Sequence, residues 1–498
     1  RMGHGTSGTG SGTLRFSATE EIMPDATRLR RNDPRRLIAV VVSAVLWLVV
    51  LVGAAGPVAA TDPSGAPSTA PSSAPSSGPS GSPEASSSPG PSSSPDPSSP
   101  PPPPATVTFY GRGYGHGLGM SQYGARGRAL AGETAPEILA HYYENTTLAT
   151  LAATTPVRIL LMTGFRPTTR TPAVVIALNG PFTVDGVAGT WPVGASANLL
   201  HVTRPTAGWQ LRIVSSTGIL LKTMKTGSSV RIRPAATSTR LQVWSKPSVY
   251  DTYRGTIRLV GSQAGLVSVI DETTLDLYLR GVVPVEMPAS WPPEALKAQA
   301  IAARSYAAAH LHPMTGSWDI RDDTSAQVYR GTRGEQSLAT NAIIATSGQV
   351  LMSGTHVVTA MFHSADGGAT ENNENVYVSP TGARVSSPVS YLRGSSDREP
   401  DGTSYDSASP HATWQTAAYT LDQLSAVFAA DPRTDVGTIS ALDLSHVGVS
   451  GRLIGVTLTG SLGSLTVSGE IFRSIFNTYT PAADPYMWST LVATAPIP

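Results

Sequence analysis

The stretch Tyr278-Leu279-Arg280-Gly281-Val282-Val283-Pro284-Val285-Glu286-Met287-Pro288 sets one carboxylate against an apolar, β-branched run and a proline-stiffened turn. The pattern predicts an apolar strand through Leu279, Val282, Val283 and Val285, with Glu286 at its mouth. A carboxylate so placed is partly desolvated, which lifts its pKa toward the range of a general acid. A glutamate that merely caps the next helix is the competing reading, and spacing alone favours it.

Outward from that stretch, Trp291 to His310 reads as a helix. Pro292 and Pro293 suit its start, and Leu296, Ala300, Ala303 and Ala307 recur at helical spacing. Before it, short β-branched runs alternate with Gly, Pro, Asn and Ser: Val157–Met162, Ala173–Ala177, Leu211–Val214, Val230–Ile232, Arg240–Val243, Thr256–Leu259 and Gly265–Ile270. These predict a β-rich unit, an inserted module at about 156–270. Strand patterns return at Leu453–Leu458 and Ser464–Val467. The expected fold class is α+β, a β-rich extracellular catalytic domain with a helix following the glutamate.

The first hundred residues do not read as globular. Arg30, Arg31, Arg35 and Arg36 precede an uncharged run from Leu37 to Ala55, and Val58-Ala59-Ala60 offers small residues for cleavage. That order predicts a cytoplasmic segment at 1–36 and an export signal or membrane anchor at 37–60. A start at Met23 would give a signal of ordinary length. Residues 61–105 are nearly all Pro, Ser, Gly and Ala, which predicts an extended, disordered spacer before a folded domain at 106–498. The bulk of the chain is therefore expected outside the cytoplasm.

Composition narrows the partners. Of 498 residues only 14% are charged and the formal net charge is +1, so no field points to nucleic acid. Membrane contact is expected only through the N-terminal apolar run. Cysteine is absent, which excludes disulfides and thiolate metal sites.

Four stretches carry the chemistry together. The glutamate stretch with its helix, through Ala303-Arg304-Ser305-Tyr306-Ala307, is the first. Asp322-Asp323-Thr324-Ser325-Ala326-Gln327-Val328-Tyr329-Arg330-Gly331 is the second. Phe362-His363-Ser364-Ala365-Asp366-Gly367-Gly368-Ala369-Thr370-Glu371 is the third. Gly111-Arg112-Gly113-Tyr114-Gly115-His116-Gly117-Leu118-Gly119-Met120-Ser121-Gln122-Tyr123-Gly124-Ala125 is the fourth. The glycines of the last permit close backbone approach, and no Lys-Ser/Thr pair follows as a phosphate loop requires. It reads as the lining of a ligand groove, with a plain glycine-rich turn as the other possibility.

In order and content these stretches resemble the family of stage II sporulation protein D and the amidase enhancer, across most of 106–498. The resemblance implies an extracytoplasmic peptidoglycan protein. It further implies a lytic transglycosylase that cuts between N-acetylmuramic acid and N-acetylglucosamine and leaves a 1,6-anhydro end. Glu286 matches the family's catalytic glutamate. A single carboxylate suits that reaction: it protonates the leaving oxygen, then takes the proton of the sugar's own 6-hydroxyl, whereas hydrolysis uses two carboxylates. Asp322, Asp323, Asp366 and Glu371 keep a hydrolase open. Arg304, Gln327 and Tyr329 are expected to orient the saccharide, with a structural ion pair the alternative for Arg304. Ser364, His116, Gln122 and Tyr123 are expected to line the groove. The rival from another class is a non-catalytic peptidoglycan-binding enhancer of a cell-wall amidase.

Two departures from the family pattern bear on this. The glycine-histidine stretch usually lies near the C-terminal end of the domain and here comes first, which looks like a circular permutation. That predicts that Gly111–Ala125 folds back against Glu286. Some members also bind zinc through cysteines and histidines, but Ser325 and Ala326 stand at the His-Cys places and Arg321 where a further cysteine is expected. His310 and His312 cannot complete a four-donor site, so neither a metal nor a cofactor is expected.

Overall fold

Alternation of apolar and polar residues builds the largest part of the molecule. In the computed structural model, which describes residues 106–191, 199–204, 208–214, 220–226, 229–262, 265–312 and 314–497, two antiparallel-rich sheets share one core. The arginine-flanked apolar run and the Pro/Ser-rich tract lie outside the described residues. Among the described residues no helix is long and apolar enough to cross a membrane.

One sheet has seven strands in the order Ile320–Arg321, Pro156–Phe165, Val267–Thr274, Thr256–Gly261, Ser229–Pro234, Phe182–Val184 and Val187–Trp191. The other has six: Leu220–Thr226, Trp209–Val214, Leu199–Thr203, Ala173–Leu178, Arg240–Val243 and Thr252–Tyr253. Val230 and Ile232, Ile257 and Leu259, and Val267 and Val269 are all 1% exposed or less, while the intervening Arg231 and Arg258 turn outward to Glu272. The two-residue period that buries Val267 and Val269 carries on to Asp271, which is also fully buried. This β-rich unit runs straight into the rest, because its core continues through Leu275, Tyr278, Leu279, Val282 and Val283.

The expected strand at 279–285 is instead two short helices, Leu275–Leu279 and Val283–Glu286. Leu275, Tyr278, Leu279, Val282 and Val283 are buried large apolar residues that recur three and four apart, a helical stripe that the valines disguise. Pro284 sits in the first turn of the second helix, where its missing N–H costs nothing. The helix expected after the glutamate is Pro293–Ala309, and from Ala295 to Ala307 all its residues but Lys297 are buried. Its alanines let Ser337–Ala345, Gln349–Ser353 and Gln122–Leu130 pack closely round it.

A second core gathers around Phe109, whose ring meets Phe472 and Phe476 edge-on at 5.7 and 5.5 Å. It includes the helix Leu421–Ala429, capped reciprocally by Thr420 and Gln423, and the sheet Ile439–Asp443, Gly455–Gly460 and Gly463–Ser468. Tyr110–Gly111 is hydrogen-bonded to Val492–Ala493 on one edge and to Trp414–Gln415 on the other. The glycine-histidine stretch therefore starts beside the last strand of the unit, the neighbourhood a permutation requires.

Gly119 is one of the tight points of that stretch, and there the neighbour is backbone. Its φ is +63° and a Cβ would lie 2.1 Å from the Met361 carbonyl, which already accepts from Met120 N–H and Tyr143 O–H. Gly119→Ala is expected to cost roughly 2–4 kcal/mol in a urea melt, from left-handed strain plus the displaced Phe362–His363 pairing. A melt unchanged within error would refute the close packing.

Candidate functional site around Glu286

Glu286 closes its short helix and faces the loop that runs from Gln327 to Gly331. Gly281 brings the two together: a Cβ there would meet the Gly331 carbonyl and the Tyr329 ring, each at 2.7 Å, and its own carbonyl accepts from Arg330 N–H at 3.0 Å. Val328 N–H then donates to Glu286 Oε1 at 3.2 Å. Burial pushes the Glu286 carboxyl up to about 7, against the opposing pull of the Val328 N–H and the Arg330 guanidinium. The side chain keeps an edge in solvent, but the atoms packed round it remove most of its hydration.

The sign of that shift predicts a stability profile. A carboxyl raised in the folded state favours the protonated form, so its contribution is full below the unfolded value near 4.5 and fades as pH rises through about 7. Glu286→Gln stays neutral throughout. Its melting temperature is expected to exceed that of the wild type at pH 8 and to converge with it near pH 4. Parallel curves at both pH values would refute the shift.

The glycine-histidine stretch does fold back here. Ser121 caps the helix Gln122–Leu130 through Gly124 N–H at 3.1 Å, which aims Gln122 at the site. Gln122 Nε2 donates to the Glu286 carbonyl at 2.9 Å and to Gln299 Oε1 at 3.3 Å. Tyr123 meets Trp291 edge-on at 4.7 Å, with the Arg126 guanidinium 5.7 Å from the Trp291 ring centre. Tyr123 N–H donates to the Ser364 carbonyl at 2.9 Å. Gln122, Tyr123 and Ser364 are thus linked to one another and, through Gln122, to Glu286. Trp291, Arg126 and Arg330 join them without having been singled out from sequence. The tryptophan before Pro292-Pro293 was the available signal, since a ring at a helix entrance is free to face solvent.

His116 takes a different place. Its Nδ1 accepts Leu118 N–H at 2.9 Å, its ring lies 5.3 Å from that of His363, and burial with nearby Arg452 holds its pKa down to about 4. It is a neutral brace inside the loop.

Three residues expected to touch saccharide lie in the interior instead. Arg304 is fully buried and donates to Asp276 at 2.7 Å and to the carbonyls of Ala300, Ile343 and Gln349. Gln327 donates to the Ala303 carbonyl and accepts the Tyr278 hydroxyl. Tyr329 donates its hydroxyl to Asp271 at 2.9 Å. Their polar atoms are taken up by protein partners: Gln327 and Tyr329 hold the Val328 loop from behind, and Arg304 ties the long helix to its neighbours. Asp271 supplies this anchor from the β-rich unit, although burial raises its own pKa to about 7.

The four carboxylates that kept a two-acid mechanism open are committed elsewhere. Asp322 pairs with Lys246 at 2.5 Å, and Asp323 closes a turn on Ser325. Glu371 accepts from Asn372, Asn375, Val449 and Ser450. Asp366 is sealed beside Asp397, which itself accepts from Arg128 at 2.8 Å and Tyr142 at 2.7 Å, and burial lifts the Asp366 pKa well above the usual carboxylate range.

A zinc ion does not fit the place where some family members hold one. His310 and His312 each turn Nδ1 to a backbone carbonyl, of Tyr306 and His310 respectively, and Ser325 is tied to Asp323. Among the described residues no three His, Asp or Glu side chains converge to hold a metal, so a tetrahedral site is not formed.

Comparison with known proteins gives consistent neighbours. Residues 263–352 match the family model described as stage II sporulation protein. The chain is 31% identical over 217 residues to the amidase enhancer of Bacillus subtilis strain 168, which covers 42% of this chain and 29% of that protein. It is 36% identical over 128 residues to stage II sporulation protein D of the same strain, covering 22% and 37%. A protein of Brachyspira hyodysenteriae described as uncharacterized is 35% identical over 111 residues, covering 22% and 30%. The chain thus spans about a third of the length of these curated relatives. Glu286 and the Gln327–Gly331 loop fall inside the family match, and Gln122, Tyr123 and Ser364 fall outside it.

Proposed function

The chain belongs to the family of stage II sporulation protein D and the amidase enhancer, and from that premise we propose that it works on bacterial peptidoglycan, holding glycan strands and enhancing a cell-wall amidase. The likeness over 217 residues to an amidase enhancer carries this reading. The half-exposed Tyr123–Trp291 pair, with Arg126 against it, suits a sugar ring lying beside Glu286. The arginine-led apolar run at 37–60 is proposed to export or anchor the chain, which places the site in the wall.

One observation favours a second reading, in which the same groove also cuts the strand. Glu286, with a pKa lifted to about 7, is suited both to give and to take a proton near neutral pH. In a lytic transglycosylase it would protonate the glycosidic oxygen as the bond from muramic acid C1 breaks. The muramic acid 6-hydroxyl then attacks C1, Glu286 accepts its proton, and a 1,6-anhydro end results. No water is consumed, and the acids at 322, 323, 366 and 371 are not needed.

The test incubates the full chain with purified peptidoglycan, intact and stripped of peptides, with and without a cell-wall amidase, and analyses the products by mass spectrometry. Faster amidase release without anhydro products supports the enhancer reading. Anhydro-muramic ends formed by the protein alone support the lytic one. Glycan neither retained nor cut, with an unchanged amidase rate, would sink both.

A further inference from the structure

A group of four rings stands beyond Ser364. The Ser364 carbonyl accepts Tyr123 N–H. The next residue, Ala365, exchanges two hydrogen bonds with Tyr114, at 2.8 and 3.1 Å. Tyr123 and Tyr114 are therefore bonded to adjacent residues of one segment. The Tyr114 ring meets His411 at 5.2 Å and Trp488 at 5.1 Å. His411 lies over Trp488 at 4.0 Å and 33°, and Tyr486 meets Trp488 edge-on at 6.0 Å.

The group is braced like a core yet is not sealed like one. Gly113 N–H donates to the His411 carbonyl at 2.9 Å and Gly115 N–H to that of Trp488 at 3.2 Å. Asn477 holds both the N–H and the carbonyl of Met487 at 2.9 Å. By contrast with Phe109 and Phe472, which are fully buried, all four ring residues stay half-exposed. Burial also keeps His411 below its ordinary pKa, hence neutral near pH 7. Rigid, uncharged, accessible rings stack well on the C–H faces of sugars, because little freedom is left to lose on binding.

We propose that Tyr114, His411, Tyr486 and Trp488 form a second saccharide subsite, taking a sugar of the same glycan strand a few units from the one at Glu286. This rests on the peptidoglycan reading. The glycine-histidine stretch then links both subsites, Gln122 and Tyr123 serving one and Tyr114 the other.

The experiment uses full-length Glu286→Gln protein, so that binding is read without cleavage. Its probes are peptide-stripped glycan strands and a short muramic acid–glucosamine oligomer of two sugars. Trp488→Ala in that background is expected to weaken strand binding roughly tenfold or more and to leave the disaccharide within about twofold. His411→Ala, a smaller perturbation of the fold, should act in the same direction, with near-ultraviolet circular dichroism checking both. Equal losses on both probes, or no loss on strands, would overturn the subsite while leaving the peptidoglycan reading in place. Failure of the parent protein to bind either probe would overturn that reading and the subsite with it.

Discussion

Replacing Glu286 by glutamine is expected to leave glycan retention unchanged and to lower strand cleavage by roughly 10²- to 10⁴-fold, the usual worth of a positioned acid–base group. Glutamine preserves the volume and the acceptor for Val328 N–H, so the loop at 327–331 has no reason to move. What is lost is the proton. On the lytic reading the acid form must be present at the outset, so any cleavage is expected to decline as pH rises above about 7. Enhancement of an amidase needs no proton from Glu286 and should survive the exchange. Cleavage that persists in Glu286→Gln would remove Glu286 from the chemistry, and enhancement that disappears with binding intact would contradict the division of roles.

Arg304→Met is expected to destabilise the fold by about 3–5 kcal/mol, the common cost of removing one member of a buried charged pair. The guanidinium joins the helices Leu275–Leu279, Pro293–Ala309 and Ser337–Ala345 and the strand at Gln349, through Asp276 and three carbonyls. Methionine fills much of the volume but satisfies none of those acceptors. Against a typical total stability of about 5–15 kcal/mol, such a loss brings the protein close to unfolding at ambient temperature. A urea titration reads it directly. A stable Arg304→Met protein with weakened glycan binding would restore the saccharide role that the residue types suggested.

That contrast shows where the sequence was readable. The β-rich region announced itself because inward and outward residues alternate, as in Val230-Arg231-Ile232-Arg233, and the long helix because its alanines keep one period. The segment at 279–285 was misread because β-branched valines carry a strand signal even where three- and four-residue spacing makes the buried face. Arg304 misled in another way: a cation on a helix reads outward, and partners distant in sequence, Asp276 and the carbonyls of Ile343 and Gln349, explain its burial. The bond from Gln122 to Glu286 spans 164 residues and no local pattern encodes it. Asp271 continues a core-facing alternation, but nothing nearby in sequence announces Tyr329 as its partner.

The pairing of Tyr110–Gly111 between Trp414–Gln415 and Val492–Ala493 has a mechanical meaning. Chain tension applied at residue 106 enters at Thr106–Val107, which pairs with Tyr419–Thr420, and is next borne by those two short ladders beside the core around Phe109. The stretch immediately beyond them carries Tyr114 and, a few residues on, the glutamine that bonds the Glu286 backbone. A pull entering at Thr106 would therefore reach the neighbourhood of Glu286 through Tyr114 and Gln122 rather than be dissipated in a remote loop.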